Sequence, residues 1–232
     1  MKIGIALTAL FLFFVVHTPL PADAAWSEPK EIIIGTWGNG TGQFGLRSES
    51  GYDVVPSIEA VTAEKTIIVA DPVNKKQLVF SSSNGKFLSE LKWDDPKGQI
   101  GKVVAPLSQK GRMAQIVRSM QIGSGTYRVT IVFSDKNVVV DADNDFSKAV
   151  RDAAGFIYSI GTGQVSRFDK NGKQTASLGL PESHEELATV PGSAPRAVYI
   201  IYGVPVVAPN GDVYLSKRAG EKFSILKFTW QE

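Results

Sequence analysis

The stretch Ile67-Ile68-Val69-Ala70-Asp71, followed by Gln77-Leu78-Val79-Phe80 and then Asn84-Gly85-Lys86-Phe87-Leu88, decides the fold class. Short runs of β-branched and aromatic residues, punctuated by turn residues, read as strands. Asn-Gly between two such runs supplies residues that tolerate positive φ and predicts a tight hairpin turn. The same sequence of features returns at Phe156-Ile157-Tyr158-Ser159-Ile160, Val165-Ser166-Arg167-Phe168-Asp169 and Asn171-Gly172-Lys173. A repeating all-strand unit is therefore the first expectation.

Working outward, each unit begins with an apolar strand. Ile58-Glu59-Ala60-Val61 leads to Thr66–Ala70, and Val103-Val104-Ala105-Pro106 leads to Met113–Val117. Ala149-Val150-Arg151-Asp152 leads to Phe156–Ile160, and Val206-Val207-Ala208-Pro209 leads to Asp212–Ser216. With Val61, Val104, Val150 and Val207 as anchors, the steps are 43, 46 and 57 residues. Such a period in an all-strand chain is the spacing of propeller blades. In the second unit, Tyr127–Phe133 and Val138–Val140 are the candidates for the last two strands. The long last step is assigned to a surface loop, Pro181–Arg196, with Ala197–Tyr202 as an extra strand. The final unit stops one strand short, and Glu31–Trp37 is a strand without a unit. The simplest solution is that it closes the last blade, which also protects two sheet edges. On that reading, deleting Glu31–Trp37 lowers the melting temperature far more than trimming Ala25–Pro29.

The segment before these repeats has a different character. Lys2, the apolar run Ile3–Val16 and the site Ala22-Asp23-Ala24 form the pattern of a secretory signal peptide, residues 1–24. The apolar run falls short of the roughly 20 residues that a membrane span needs. The expected mature domain is residues 25–232, secreted or periplasmic, with no membrane span after cleavage. The chain contains no cysteine, which excludes disulfide frameworks, thiolate zinc sites and iron–sulfur clusters. A net charge of +2 spread along the sequence gives no basic stripe for phosphates, so nucleic acid is not an expected partner.

The stretch from Gly35-Thr36-Trp37-Gly38 through Gly42-Gln43-Phe44, with Val55-Pro56-Ser57-Ile58 and Ile67–Asp71 after it, resembles an NHL repeat. The likeness is good over residues 35–91 and weaker over 147–178. It implies a β-propeller of four-stranded antiparallel blades, in that family most often six. Residues 25–232 provide for four to five at about 45 residues each, so a small ring, an incomplete ring and one completed by a second copy all stay open.

Candidate chemistry is sparse. Asp141, Asp143 and Asp145 alternate in a way that could present several oxygens to calcium. A calcium loop of the EF type wants Gly and an acid where Phe146 and Asp152 stand, and Asp143-Asn144-Asp145 aligns with the Asn-Gly turns at 84–85 and 171–172. A turn is the preferred reading and no cofactor is expected, with calcium the alternative. His184 lies among Glu182, Glu185 and Glu186 and lacks the histidine partners of a catalytic zinc site. Gly38–Gly42 and Gly161-Thr162-Gly163 precede no helical pattern and read as linkers rather than phosphate cradles. Tyr158 and Tyr214 read as core or channel residues, Trp37, Trp93 and Trp230 as strand-end aromatics, and Arg47, Arg118, Arg151, Arg167 and Lys217 as strand-end cations. No catalytic, cofactor or metal residues are assigned. The expected function is an exported propeller acting as a binding or scaffold module for a protein or small-molecule ligand on one face. The alternative is a metal-dependent, lactonase-like propeller enzyme with axial carboxylates.

Overall fold

A computed structural model describes residues 25–49, 52–92, 112–143, 145–146, 148–161, 163–188 and 196–231. The expected leader at 1–24, Trp93 and the strand expected at 103–106 lie outside the described residues. Every regular element among the described residues is a strand.

The described residues open with β1 (Ala25–Trp26), β2 (Lys30–Thr36), and a small hairpin of β3 (Arg47–Glu49) and β4 (Tyr52–Val54). The first large sheet is β5 (Ser57–Val61), β6 (Thr66–Asp71), β7 (Lys76–Ser81) and β8 (Phe87–Lys92), in sequential antiparallel order. The second is β9 (Ile116–Gln121), β10 (Tyr127–Val132) and β11 (Asn137–Ala142). The third is β12 (Lys148–Arg151), β13 (Ile157–Gly161), β14 (Gln164–Phe168) and β15 (Gln174–Gly179). The fourth contains β16 (His184–Ala188), β17 (Arg196–Tyr202), β18 (Val206–Val207), β19 (Val213–Ala219) and β20 (Lys222–Phe228). β21 (Trp230–Gln231) pairs with β1.

Period-two patterning explains why these segments are strands. Along β11, Val138, Val140 and Ala142 are buried while Asn137, Val139 and Asp141 face solvent, as the pleat requires of a half-buried strand. The same alternation buries Leu78 and Phe80 in β7.

The repeat is visible in the first hairpin of three sheets. Lys65 N donates to Thr62 O and Thr62 N to Thr66 O, at 3.2 and 2.9 Å. Gly155 and Asp152 repeat this with Asp152 O and Phe156 O, and Gly211 and Ala208 with Ala208 O and Asp212 O. Lys65, Gly155 and Gly211 all take positive φ, at 60°, 90° and 86°. These turns align Val61 and Val207 with Arg151, which corrects the Val150 anchor by one residue. The later Asn-Gly turns are wider than two residues, since Ser81 N bonds Lys86 O and Asp169 N bonds Lys173 O. Only their glycines, Gly85 and Gly172, take positive φ.

β2 lies antiparallel to β20, from Lys30↔Lys227 to Thr36↔Lys222, so the N-terminal strand joins the last sheet. Ala25–Pro29 is also anchored to the last sheet's end. Trp26 pairs with Trp230 across β1 and β21, and its Nε1 donates to Gly211 O at 3.0 Å. It also packs against the core between the third and fourth sheets. The region read as a loop, Pro181–Arg196, is corrected too, because it contains β16, which pairs with β17 from His184↔Ile200 to Ala188↔Arg196.

Among the described residues, three cores connect the sheets. Leu78 and Phe80 of the first pack with Phe223 and Ile225 of the fourth, and Phe44 fills the space between them. Val129 and Ile131 of the second meet Ile157 and Phe168 of the third. Tyr158 and Val165 of the third meet Val213 and Leu215 of the fourth. The packing order is second, third, fourth, first, and among the described residues no core joins the first sheet to the second.

Candidate functional site

The linkers that lead into β5, β12 and β18 meet on one side of the sheets, and two cavities open there. The larger, about 680 Å³, lies between the third and fourth sheets and is walled by Phe146, Ile160, Leu180, Pro181 and Leu215. Asp145, Lys148 and Glu182 also line it. The second, about 490 Å³, lies between the fourth and first sheets against Val55, Pro56, Ile58, Ile201 and Phe223. Tyr202, Gly203 and Val204 line both.

That shared ridge is built by local constraint. Gly203 N donates to Ser216 O at 2.9 Å, and a Cβ on Gly203 would displace Ser216 Oγ, so the chain hugs β19 closely here. Tyr202 N donates to Ser183 Oγ at 3.1 Å, tying the ridge to the linker before β16. Pro205 is buried directly after it. The geometry pushes Val204 outward, 59% exposed, between two cavities with apolar walls. At the second cavity, Arg218 pairs with Asp53, whose carboxyl is held below its ordinary range by hydrogen bonds from Arg218 and then Ser48.

The opposite ends of the same sheets carry buried charge, arranged differently. Tyr158 OH donates to Asp152 Oδ2 at 2.8 Å and accepts from Arg167 Nε at 3.2 Å. The Arg167 guanidinium is sandwiched between Phe156 and Trp230, 3.5 and 4.1 Å from the ring centroids. Burial pushes the Tyr158 hydroxyl well above its ordinary range, and the Asp152 carboxylate adds to that rise. Nearby, Lys227 Nζ contacts Asp212 Oδ2 at 2.9 Å. Burial pulls this ammonium down, but the hydrogen bond to Asp212 and the neighbouring Tyr214 leave it raised overall. Each of these charges has a partner, so the groups act as fixed polar mortar between sheets.

The residues singled out from sequence separate accordingly. Asp141 lies within β11 and takes a bidentate pair from Arg128 across the strand pair, both contacts 2.9 Å. Asp143 and Asp145 follow β11 in the linker toward β12, not in a hairpin turn as the alignment with Asn-Gly had it. Among the described residues, no group of three acids or histidines is placed to hold a metal ion. His184 is exposed at the start of β16, with Nδ1 2.8 Å from Glu182 O and Nε2 2.9 Å from Glu186 Oε1. Those two contacts raise its imidazole above the ordinary range, the first most strongly. The Gly38–Gly42 loop is clamped from the first sheet: Asn74 Nδ2 donates to Gly38 O at 2.7 Å and Lys76 Nζ to Gly40 O at 2.9 Å. Gly161 and Gly163 flank the turn between β13 and β14 and line the larger cavity.

Tyr158 and Tyr214 are core residues. Trp37 Nε1 donates to Gly220 O at 3.2 Å, and Trp230 stacks edge-on against Trp26, so both pack between chain segments. Of the cations, Arg151 reaches Asp135 at 2.9 Å, Lys217 reaches Glu31 at 3.4 Å, and Arg47 and Arg118 are exposed in β3 and β9. None of them converges on the cleft. Its central residues Gly203, Val204 and Arg218 are not among those the sequence singles out, whereas Asp145, Gly161, Gly163 and Glu182 are and line its larger cavity. The turn signal in Gly203-Val204-Pro205 was the one local clue, and the rest of the site comes from segments far apart in sequence.

No family model and no curated protein sequence matches the chain. No helix among the described residues is long and apolar enough to cross a membrane.

Proposed function

We propose that the chain is an exported binding module whose four sheets are blades of an NHL-like propeller, and that it holds its ligand in the cleft astride Tyr202–Val204. One observation carries this reading: Val204 stands exposed between two adjoining apolar cavities of about 680 and 490 Å³. Cavities of this size with apolar walls and a few peripheral polar groups are where small molecules and peptide side chains bind. Convergent linkers on a sheet scaffold are the usual carriers of such sites. The charges at the rim, Lys148, Glu182 and the Arg218–Asp53 pair, supply orientation, whereas the apolar walls supply affinity.

The reading is tested by panning a displayed random-peptide library against the full chain and measuring the enriched peptides on Val204→Glu. A loss of about tenfold in affinity, with Met120→Glu on β9 as an unaffected exposed control, is the expected result. Equal affinity for the wild-type chain and Val204→Glu overturns it.

A further inference from the structure

Among the described residues, the fourth sheet ends in an unpaired edge. β16 pairs with β17 on one side, and no described residue pairs with its other side. Edge strands that stay unpaired are normally blunted by proline, by charged side chains, lysine above all, or by a bulge. His184-Glu185-Glu186-Leu187-Ala188 contains no proline or lysine, its register with β17 runs without a shift, and its formal charges are two glutamates. The strand therefore offers alternate N–H and C=O groups in a regular row.

The side chains around that row are unusual in two respects. Glu185 and Leu187 lie opposite Tyr199 and Ala197, which puts them on one face of the hairpin. Leu187 is 72% and Tyr199 63% exposed, and Ile201 extends the face. From residue 174 to 195 the formal charges are Glu182, Glu185 and Glu186, in a chain whose net charge is +2. A second copy of β16 laid antiparallel on the first would set glutamates against glutamates, which cross-strand pairing disfavours.

We propose that β16 is a strand-addition site for an extended segment of a partner protein in which lysine or arginine alternates with apolar residues. Main-chain hydrogen bonds to the edge provide the part of the affinity that does not depend on side-chain sequence. Cationic side chains on one face of the added segment meet Glu186, beside its contact with His184, and the apolar ones on the other face extend the cover over Leu187 and Tyr199, the face that also carries Glu185. The site lies beside the cleft, whose larger cavity touches Glu182 and Ser183, but it rests on separate observations.

The experiment uses the full chain and a fluorescent, end-capped peptide of about six residues, a typical strand length, with Lys and Val alternating. Its comparisons are the Glu/Val counterpart and versions of the Lys/Val peptide N-methylated on either set of alternate amides. Anisotropy is expected to show the Lys/Val peptide binding at least about tenfold more tightly than the Glu/Val peptide. One of the two N-methylated versions loses that affinity, and the surface double variant Glu185→Lys/Glu186→Lys prefers the Glu/Val peptide. Binding that survives both N-methylations, or no binding by the Lys/Val peptide, overturns strand addition. So does binding lost in Val204→Glu but kept in the double variant, which places the peptide in the cleft instead.

Discussion

Gly172, in the turn between β14 and β15, lies against the carbonyl of Val139 in β11 so closely that a Cβ would overlap the oxygen. Gly85, in the turn between β7 and β8, stands in the same relation to the carbonyl of Ile32 in β2. One device thus joins the third sheet to the outer strand of the second, and the first sheet to the outer strand of the fourth. The equivalence identifies β2 as an outer strand of its sheet in the same sense as β11.

Replacing either glycine with alanine combines a strained backbone with a clash that only movement of a neighbouring sheet relieves. Gly172→Ala and Gly85→Ala are each expected to lower stability by roughly 2–4 kcal/mol. Gly163 also has positive φ, at 73°, but nothing lies within 4 Å of its added Cβ. Gly163→Ala should cost only the backbone strain, about 1 kcal/mol. Urea midpoints at constant m separate the two classes, and a Gly163→Ala loss equal to that of Gly172→Ala would remove the case for the seat on β11.

Much of this architecture was legible because it is local. The alternation in Lys76–Ser81 and Asn137–Ala142, the Asn-Gly turns and the unclaimed apolar run near Ile33 all announce themselves within a few residues. β16 was not legible, since His-Glu-Glu-Leu-Ala has poor strand propensity and is held extended by β17. The Asp152–Tyr158–Arg167 network and the cleft at Tyr202–Val204 join different strands and sheets, and no spacing rule encodes them. The alternation at Asp141 does not define its role, because alternating acids look alike whether they face a metal ion or, as Asp141 does here, an arginine on the next strand.

The role of the N-terminal strands gives a second prediction. Ile33 is 3% exposed within the core between the first and fourth sheets, and Ile34 is 64% exposed. Ile33→Ala should cost about 2–5 kcal/mol, while Ile34→Ala stays within roughly 0.5 kcal/mol. Trp26→Ala removes an indole that bridges β21 and Gly211 and is expected to lower the melting temperature clearly. A chain trimmed of Ala25–Pro29 that melts like the full one would contradict the docking of β1.

Calcium supplies a third test. The Asp141 carboxylate is already engaged by Arg128, which holds it below its ordinary range through their hydrogen bonds. Adding millimolar-range calcium or a chelator should leave the melting curve unchanged, because a ligand raises stability only by binding the native state. A rise in melting temperature that saturates with calcium, and that Asp143→Asn or Asp145→Asn abolishes, would return these acids to the role of ligands.

Alkaline pH probes the buried network. Tyr158 is fully buried, and its hydroxyl is raised by burial and by Asp152, so the folded chain holds this proton after the unfolded chain has lost it. Below pH 10, the ordinary tyrosine value, both states are protonated and the contribution to stability is complete. Above it the unfolded state ionises first, and stability falls by up to about 1.4 kcal/mol per pH unit for each such group. Tyr214 is raised in the same direction, chiefly by burial, and Lys227 is raised as well, so both steepen the decline in the same pH range. Tyr158→Phe should therefore lose stability at neutral pH, where Asp152 Oδ2 and Arg167 Nε are left without the hydroxyl, by about 1–3 kcal/mol. Above pH 10 its decline should be shallower than that of the wild-type chain, since the tyrosine and lysine terms common to both cancel in the comparison. Parallel declines in urea titrations carried out from neutral to alkaline pH would mean that Tyr158 ionises as freely in the folded chain as in the unfolded one.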